Sequence, residues 1–246
     1  MHYFIPPRWS TAMPCRLHRL HQLCAAGLLL PLLAGTARAD EQASTAPTEN
    51  ATGAYATLGL GGAWPQDVSG NTAVIGIPVN GSYSLNGGFA GEVGVGYDFG
   101  PVRSELTYTY ANANLTSLSV SALGVNLGSA SVSNGAVSTN SLLVSAYVDI
   151  PTKSRWVPYL GGGVGYTNVG WGAYSVSGFG ATATQTAGSQ GVFGYQAKLG
   201  LSYLASKKAD VFVEGTYQGA AGFSVSGVNY DSLSSWGARL GARYRF

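Results

Sequence analysis

Beyond residue 39 the chain has no histidine, no cysteine and no methionine. His2, His18, His21, Cys15, Cys24, Met1 and Met13 all precede that point. A Ser or Cys nucleophile activated by imidazole therefore has no base there. A metal site of the His/Cys type is excluded for the same reason. Charge is also scarce, at 10% of residues. No apolar run reaches the roughly twenty residues of a membrane-spanning helix. No apolar stripe with helix caps is present either. Gly161-Gly162-Gly163 lacks the Gly-Lys-Ser/Thr continuation of a phosphate loop. The one basic pair, Lys207 and Lys208, is too small to serve nucleic acid. No acidic pair has a spacing that suggests carboxylate catalysis. The expectation is no enzyme, no cofactor, no metal and no nucleic-acid partner.

The first 39 residues read as a secretory signal peptide. Arg8, Arg16 and Arg19 precede an apolar run over 23–34, and small residues at Ala37 and Ala39 mark the expected cleavage site. The basic segment is long, so Met13 is an alternative start. Residues 40–52 read as a flexible tail and 53–246 as one domain. Removing 1–39 takes four of the 13 basic residues and leaves nine against eleven acidic ones. The mature chain is thus about −2, and the basic balance of the precursor carries no information on partners.

Eight segments of about ten residues alternate in polarity: 54–64, 89–99, 102–111, 141–150, 156–166, 192–203, 211–218 and 235–246. In 89–99, Phe89, Val93, Val95, Tyr97 and Phe99 oppose Glu92 and Asp98. In 235–246, Trp236, Leu240, Ala242, Tyr244 and Phe246 oppose Arg239, Arg243 and Arg245. This is the length of a tilted strand crossing a bilayer. The connections 100–101, 151–155 and 204–210 are short, whereas 65–88, 112–140, 167–191 and 219–234 are long. A soluble sandwich also alternates along its strands but has no reason to alternate its loop lengths. The pattern predicts an all-β fold, an eight-stranded antiparallel transmembrane β-barrel with short periplasmic turns and long extracellular loops. Aromatic residues cluster by strand end, as membrane interfaces favour. Tyr97, Phe99, Trp156, Tyr203, Tyr244 and Phe246 form one expected girdle, and Trp64, Tyr110, Tyr166, Trp171 and Trp236 the other.

Three stretches carry a resemblance: Trp156-Val-Pro-Tyr-Leu-Gly-Gly-Gly-Val-Gly-Tyr166, Val102-Arg-Ser-Glu-Leu-Thr-Tyr108 and Gly241-Ala-Arg-Tyr-Arg-Phe246. Over about 54–246 the chain resembles the opacity-protein and outer-membrane-protein-A-like superfamily of small barrels. The resemblance implies export to the bacterial outer membrane, with its lipid and lipopolysaccharide as surroundings. It also implies that Leu240, Ala242, Tyr244 and Phe246 are read by the barrel-assembly machinery. The peptidoglycan-binding module of larger relatives is not expected. Enzymes of similar fold use a histidine that is absent here.

With the apolar face toward lipid, the other face is enclosed. Glu92, Asp98, Glu105, Asp149 and Glu214 then face Arg103, Lys198, Arg239, Arg243 and Arg245. Charges removed from water need partners, so a lumen ion-pair network is expected. Glu92, Lys198, Glu214 and Arg239 fall at mid-height, and Asp98, Arg103, Glu105, Asp149 and Arg243 near the periplasmic end. The network reads either as a fixed plug or as a gate that exchanges partners. The inward glycines leave a narrow water path or receive the rings of Tyr55, Tyr147, Tyr159 and Phe212. The long loops are nearly uncharged and keep alternating, which predicts projecting hairpins with edges able to pair with a partner strand; flexible polar loops are the alternative. They are where an extracellular ligand would bind. The expected role is structural or surface-interacting, of adhesion type. A narrow porin-like channel is second, and a carboxylate-based envelope enzyme third.

Overall fold

The computed structural model describes residues 52–246 apart from 75, 179, 180, 226 and 227. The expected leader, with Ala37 and Ala39, and the tail over 40–51 lie outside the described residues. The described chain consists of strands β1 (Gly53–Pro65), β2 (Val68–Val74), β3 (Ile77–Asn86), β4 (Gly88–Asp98), β5 (Val102–Ala122), β6 (Val125–Asp149) and β7 (Trp156–Trp171). There follow β8 (Tyr174–Gly178), β9 (Ala181–Gln185), β10 (Gly188–Leu204), β11 (Ala209–Ala220), β12 (Phe223–Val225), β13 (Val228–Tyr230) and β14 (Leu233–Arg245).

Eight of these close a ring. The order is β1-β4-β5-β6-β7-β10-β11-β14, and every neighbouring pair is antiparallel. β14 returns to β1 along Tyr55↔Arg245 to Pro65↔Ser235, so the barrel has no free edge. Closure matters in lipid, where an unpaired backbone group has no water to turn to. The Phe246 amide extends the seam by donating to the Ala54 carbonyl at 3.1 Å.

The six strands not in the ring are extracellular. β2–β3 and β12–β13 are hairpins joined to each other through Tyr230↔Gly70. β3 pairs with the upper half of β5, and the β8–β9 hairpin with the upper part of β6, at Ser131 to Ser133. The rim above the membrane is therefore an open sheet, β12-β13-β2-β3-β5-β6-β8-β9.

Polarity reverses along these strands. Within the membrane β5 turns Leu106, Tyr108 and Tyr110 outward and buries Arg103, Glu105, Thr107 and Thr109. Higher up, Ala113 and Leu115 are buried and Leu118 packs inward beside them. The solvent outside has changed from lipid to water, and the apolar side changes with it. A register shift between Leu115 and Ser117 re-phases β5 at this boundary.

Two expectations need correction. Trp171 is not in the outer girdle. The β7 register carries it past the barrel rim on the inward face, where it is 5% exposed among apolar side chains. The turn expected over 204–210 is shorter: β10 runs to Leu204 and β11 starts at Ala209, so Asp210 is a strand residue facing inward. The remaining girdle residues lie outward. Tyr97 packs on Phe99 at 4.7 Å, Trp156 on Tyr203 at 4.8 Å and Tyr244 on Phe246 at 5.7 Å.

Candidate functional site

The interior is layered. At its periplasmic end, Arg103 on β5 binds Asp149 on β6 through two nitrogens, Nε to Oδ2 at 2.8 Å and Nη2 to Oδ1 at 2.9 Å. Its Nη1 has no hydrogen-bond partner. The guanidinium instead lies over the rings of Tyr147 and Tyr159, at 4.9 and 5.0 Å. Arg243 binds Asp210 at 2.6 Å. Arg245 bridges Asp210 and Asp98. Asp210 thus receives two arginines, although sequence reasoning assigned it to a turn. Its place two residues before Phe212, on the inward phase of β11, was the available signal.

At mid-height four charges meet. Lys198 on β10 contacts Glu92 on β4 across the barrel and lies 3.2 Å from Glu214 on β11. Arg239 on β14 lies 2.8 Å from Glu92 and 3.7 Å from Glu214. Each cation therefore sits between both carboxylates. Thr109 donates to Glu92 at 3.0 Å and Tyr159 to Glu214 at 2.8 Å. All four charged groups are buried. Glu105 is also buried, but no ion pair within 4 Å is found for it among the described residues; it accepts from the Tyr147 hydroxyl at 3.4 Å.

Four aromatic rings fill space that glycines leave. Tyr55 is the cross-strand neighbour of Gly96, Tyr147 of Gly161, Tyr159 of Gly200 and Phe212 of Gly241. A Cβ at Gly161, Gly200 or Gly241 would stand 2.2–2.3 Å from the facing ring, and at Gly96 2.5 Å. No side chain fits there while the ring stays. The inward glycines receive rings at these four positions.

Above the quartet comes a neutral polar layer. Thr167 donates to Ser141 at 2.9 Å, Gln218 to Ser141 at 2.8 Å and Gln196 to Ser145 at 2.8 Å. Above that is an apolar cap contributed by the extracellular strands and the upper ends of the ring strands. Trp171 and Phe223 stack on Tyr230 with centroids 5.1 Å away, and Tyr83 approaches Tyr230 at 5.4 Å. Leu115 and Tyr174 complete it. Burial pushes the Tyr174 hydroxyl up to about 12 and the Tyr230 hydroxyl higher still, with Tyr83 adding to both. Sequence reasoning did not foresee this cap. Its signal was the inverted alternation in the loops, apolar residues inward and serines outward.

The two surfaces that remain differ sharply. The membrane belt is apolar and includes Leu58, Val95, Val144, Leu199 and Leu240. Leu240, Ala242, Tyr244 and Phe246 all lie on it, at alternate positions of the last strand. The outer face of the extracellular sheet is hydroxyl- and amide-bearing. Ser117, Ser131, Ser177 and Thr182 are successive cross-strand neighbours on it.

Several solved structures are similar to the chain. The chain is similar to the outer membrane protease OmpT from Escherichia coli, with a TM-score of 0.51 and 10% identity, over 84% of this chain and 99% of that one. It is also similar to Neisserial surface protein A, with a TM-score of 0.46 and 19% identity, over 79% and 99%. OprG from Pseudomonas aeruginosa gives 0.44 and 19%, over 79% and 96%. No curated protein matches the chain in sequence. A family model described as surface antigen matches residues 66–244, from the first projecting hairpin to the last strand. With the lipid-facing belt and the closed ring of eight strands, that match covers most of the chain, which therefore belongs to the surface antigen family of bacterial outer-membrane β-barrels.

Proposed function

We propose that this protein is a non-enzymatic outer-membrane barrel with a structural or surface-interacting, adhesion-type role and a lumen closed by its own side chains. The observation that carries the reading is the buried quartet of Glu92, Lys198, Glu214 and Arg239, lying between a ring-filled lower layer and an apolar cap. An eight-stranded barrel is just wide enough for side chains to fill it. Solute passage would have to break buried ion pairs, and removing a buried charge from its partner is costly. No histidine or cysteine lies after residue 24, so the residues of the barrel offer no imidazole or thiolate for catalysis. Contact with the outside then falls to the extracellular strands. Lipid and lipopolysaccharide surround the belt, and the alternating outward residues Leu240, Ala242, Tyr244 and Phe246 act as the signal that the assembly machinery pairs with.

The test is electrical. Purified barrel in planar bilayers is expected to give no steady unit conductance; reproducible unit steps would overturn the closed lumen. A narrow ion channel is the second reading. It is favoured by the two-carboxylate environment of each quartet cation, which lets partners exchange without leaving a charge alone. Under it, Arg239→Ala changes the unit conductance rather than leaving the bilayer silent.

A further inference from the structure

We propose that the outer face of the β2–β3–β5 sheet is a binding site for a neutral oligosaccharide; this rests on the surface-interaction reading and names the ligand class. The face holds a concavity of about 470 Å³. Ser69, Asn71, Asn80, Ser82, Ser119 and Ser121 line it. The register arranges them in two rows across the strands, Ser69↔Ser82↔Ser119 and Asn71↔Asn80↔Ser121. Neighbouring strands are about 4.8 Å apart and alternate residues on one strand about 7 Å apart. The result is a regular grid of hydroxyl and amide groups on the scale of a sugar ring.

Among the described residues, none of these six side chains has a partner within the protein. Six polar groups thus line one concavity, tied to no other described side chain and open to a ligand. Hydroxyls and amides both donate and accept, as sugar hydroxyls do. Charge decides the ligand class. The four long connections contain no Lys or Arg and two carboxylates, Asp67 and Asp231. A sulfated or phosphorylated polymer finds no cation here to pair with. Asp231 also borders the concavity, and its backbone is fixed by donation to the Ser69 carbonyl at 2.9 Å. Its carboxylate can accept from two hydroxyls of a diol but repels an anion. Gly70, Gly81, Val120 and Gly124 add small apolar surface to the lining, which suits the C–H face of a sugar ring. The exposed Ile77, Leu123, Val125 and Leu127 lie at the hairpin tips, outside it.

The experiment uses the barrel in lipid nanodiscs and a panel of neutral gluco-, galacto- and N-acetylhexosamine oligosaccharides, with heparin as the anionic control. At least one neutral oligosaccharide is expected to bind, equally at low and high salt, and heparin is not. Asn71→Ala with Asn80→Ala should weaken binding about tenfold, two hydrogen bonds' worth. Ser119→Arg should block the concavity. Both variants lie on a solvated face, and heat-shifted gel migration checks their folding. Failure of every neutral oligosaccharide, or binding untouched by both variants, overturns the glycan site. Adherence of cells displaying the barrel separates the two ideas. Adherence that neutral sugar does not compete sinks the glycan and keeps the surface role; no adherence above barrel-free cells, with no sugar bound, sinks the role itself.

Discussion

Arg103 is fully buried, and its partner is not the one that strand neighbours suggest. Asp98 stands directly opposite it in the β4–β5 register, yet Arg103 binds Asp149. Asp98 is engaged elsewhere: it accepts from the Gly100 amide at 2.9 Å and from Arg245. Alternation in the sequence identifies which charges face inward, because a strand's side chains have period two. It does not identify pairs, because strand stagger displaces side chains that the linear count puts level. Asp210 shows the same limit, since a charge beside Lys207 and Lys208 reads as a turn until the strand boundary is known. The Arg103–Asp149 pair makes a direct prediction. Arg103→Met leaves Asp149 buried without a counter-ion and should destabilise the barrel by about 3–5 kcal/mol. The double variant Arg103→Met, Asp149→Leu should recover most of that loss, because two apolar groups of similar size need no partner. Urea unfolding of both variants in lipid vesicles measures the difference. A double variant as unstable as the single one would refute the account.

At the scale of elements, the long hairpins are strands whose outside has changed from lipid to water. In β5 the buried face turns from polar to apolar between Thr109 and Leu115 with the phase of the strand unchanged, and the register shift after Leu115 then brings Leu118 inward. The eight membrane segments were legible from their length and apolar alternation. The projecting strands were legible as hairpins, but the period-two pattern of Ser-Leu-Ser-Val names their inner face only once the change of solvent from lipid to water is taken into account. The tip of the β5–β6 hairpin is the least expected part. Leu123 and Gly124 form its two-residue turn, both at positive φ, 51° and 79°. Such turns favour Asn-Gly, and a leucine there carries a steric cost of about 1 kcal/mol. It gains little in return, being 73% exposed. Leu123→Asn should therefore rigidify the tip, slowing amide exchange over 119–128 roughly fivefold while leaving exchange in the membrane strands unchanged. Unchanged or faster exchange at the tip would show that Leu123 is held by contacts of its own.

For the whole molecule, closure is the central physical fact, and β14 provides it. One side of this strand carries Arg239, Arg243 and Arg245 into the lumen networks. The other carries Leu240, Ala242, Tyr244 and Phe246 to lipid. The class of fold was readable from loop lengths and period-two patterning together, whereas the cap and the cross-barrel contacts depend on curvature that no local pattern encodes. Phe246 ends the lipid-facing row. It is 74% exposed, so its ring contributes little to internal packing. It touches Tyr244, and its backbone closes the seam to β1. A charge at this position, near the bilayer interface, costs only about 0–1 kcal/mol in the finished barrel. Phe246→Asp should therefore leave the folded stability of refolded protein nearly unchanged. Assembly in cells should nevertheless fall severalfold, because an incoming strand must offer an apolar row for pairing before any lumen contact exists. The comparison is Leu127→Asp, another exposed apolar position, on the extracellular hairpin. Heat-shifted barrel in outer-membrane fractions is the readout. Equal yields for the two variants would remove the assembly role, and equal loss of stability in vitro would assign Phe246 to packing instead.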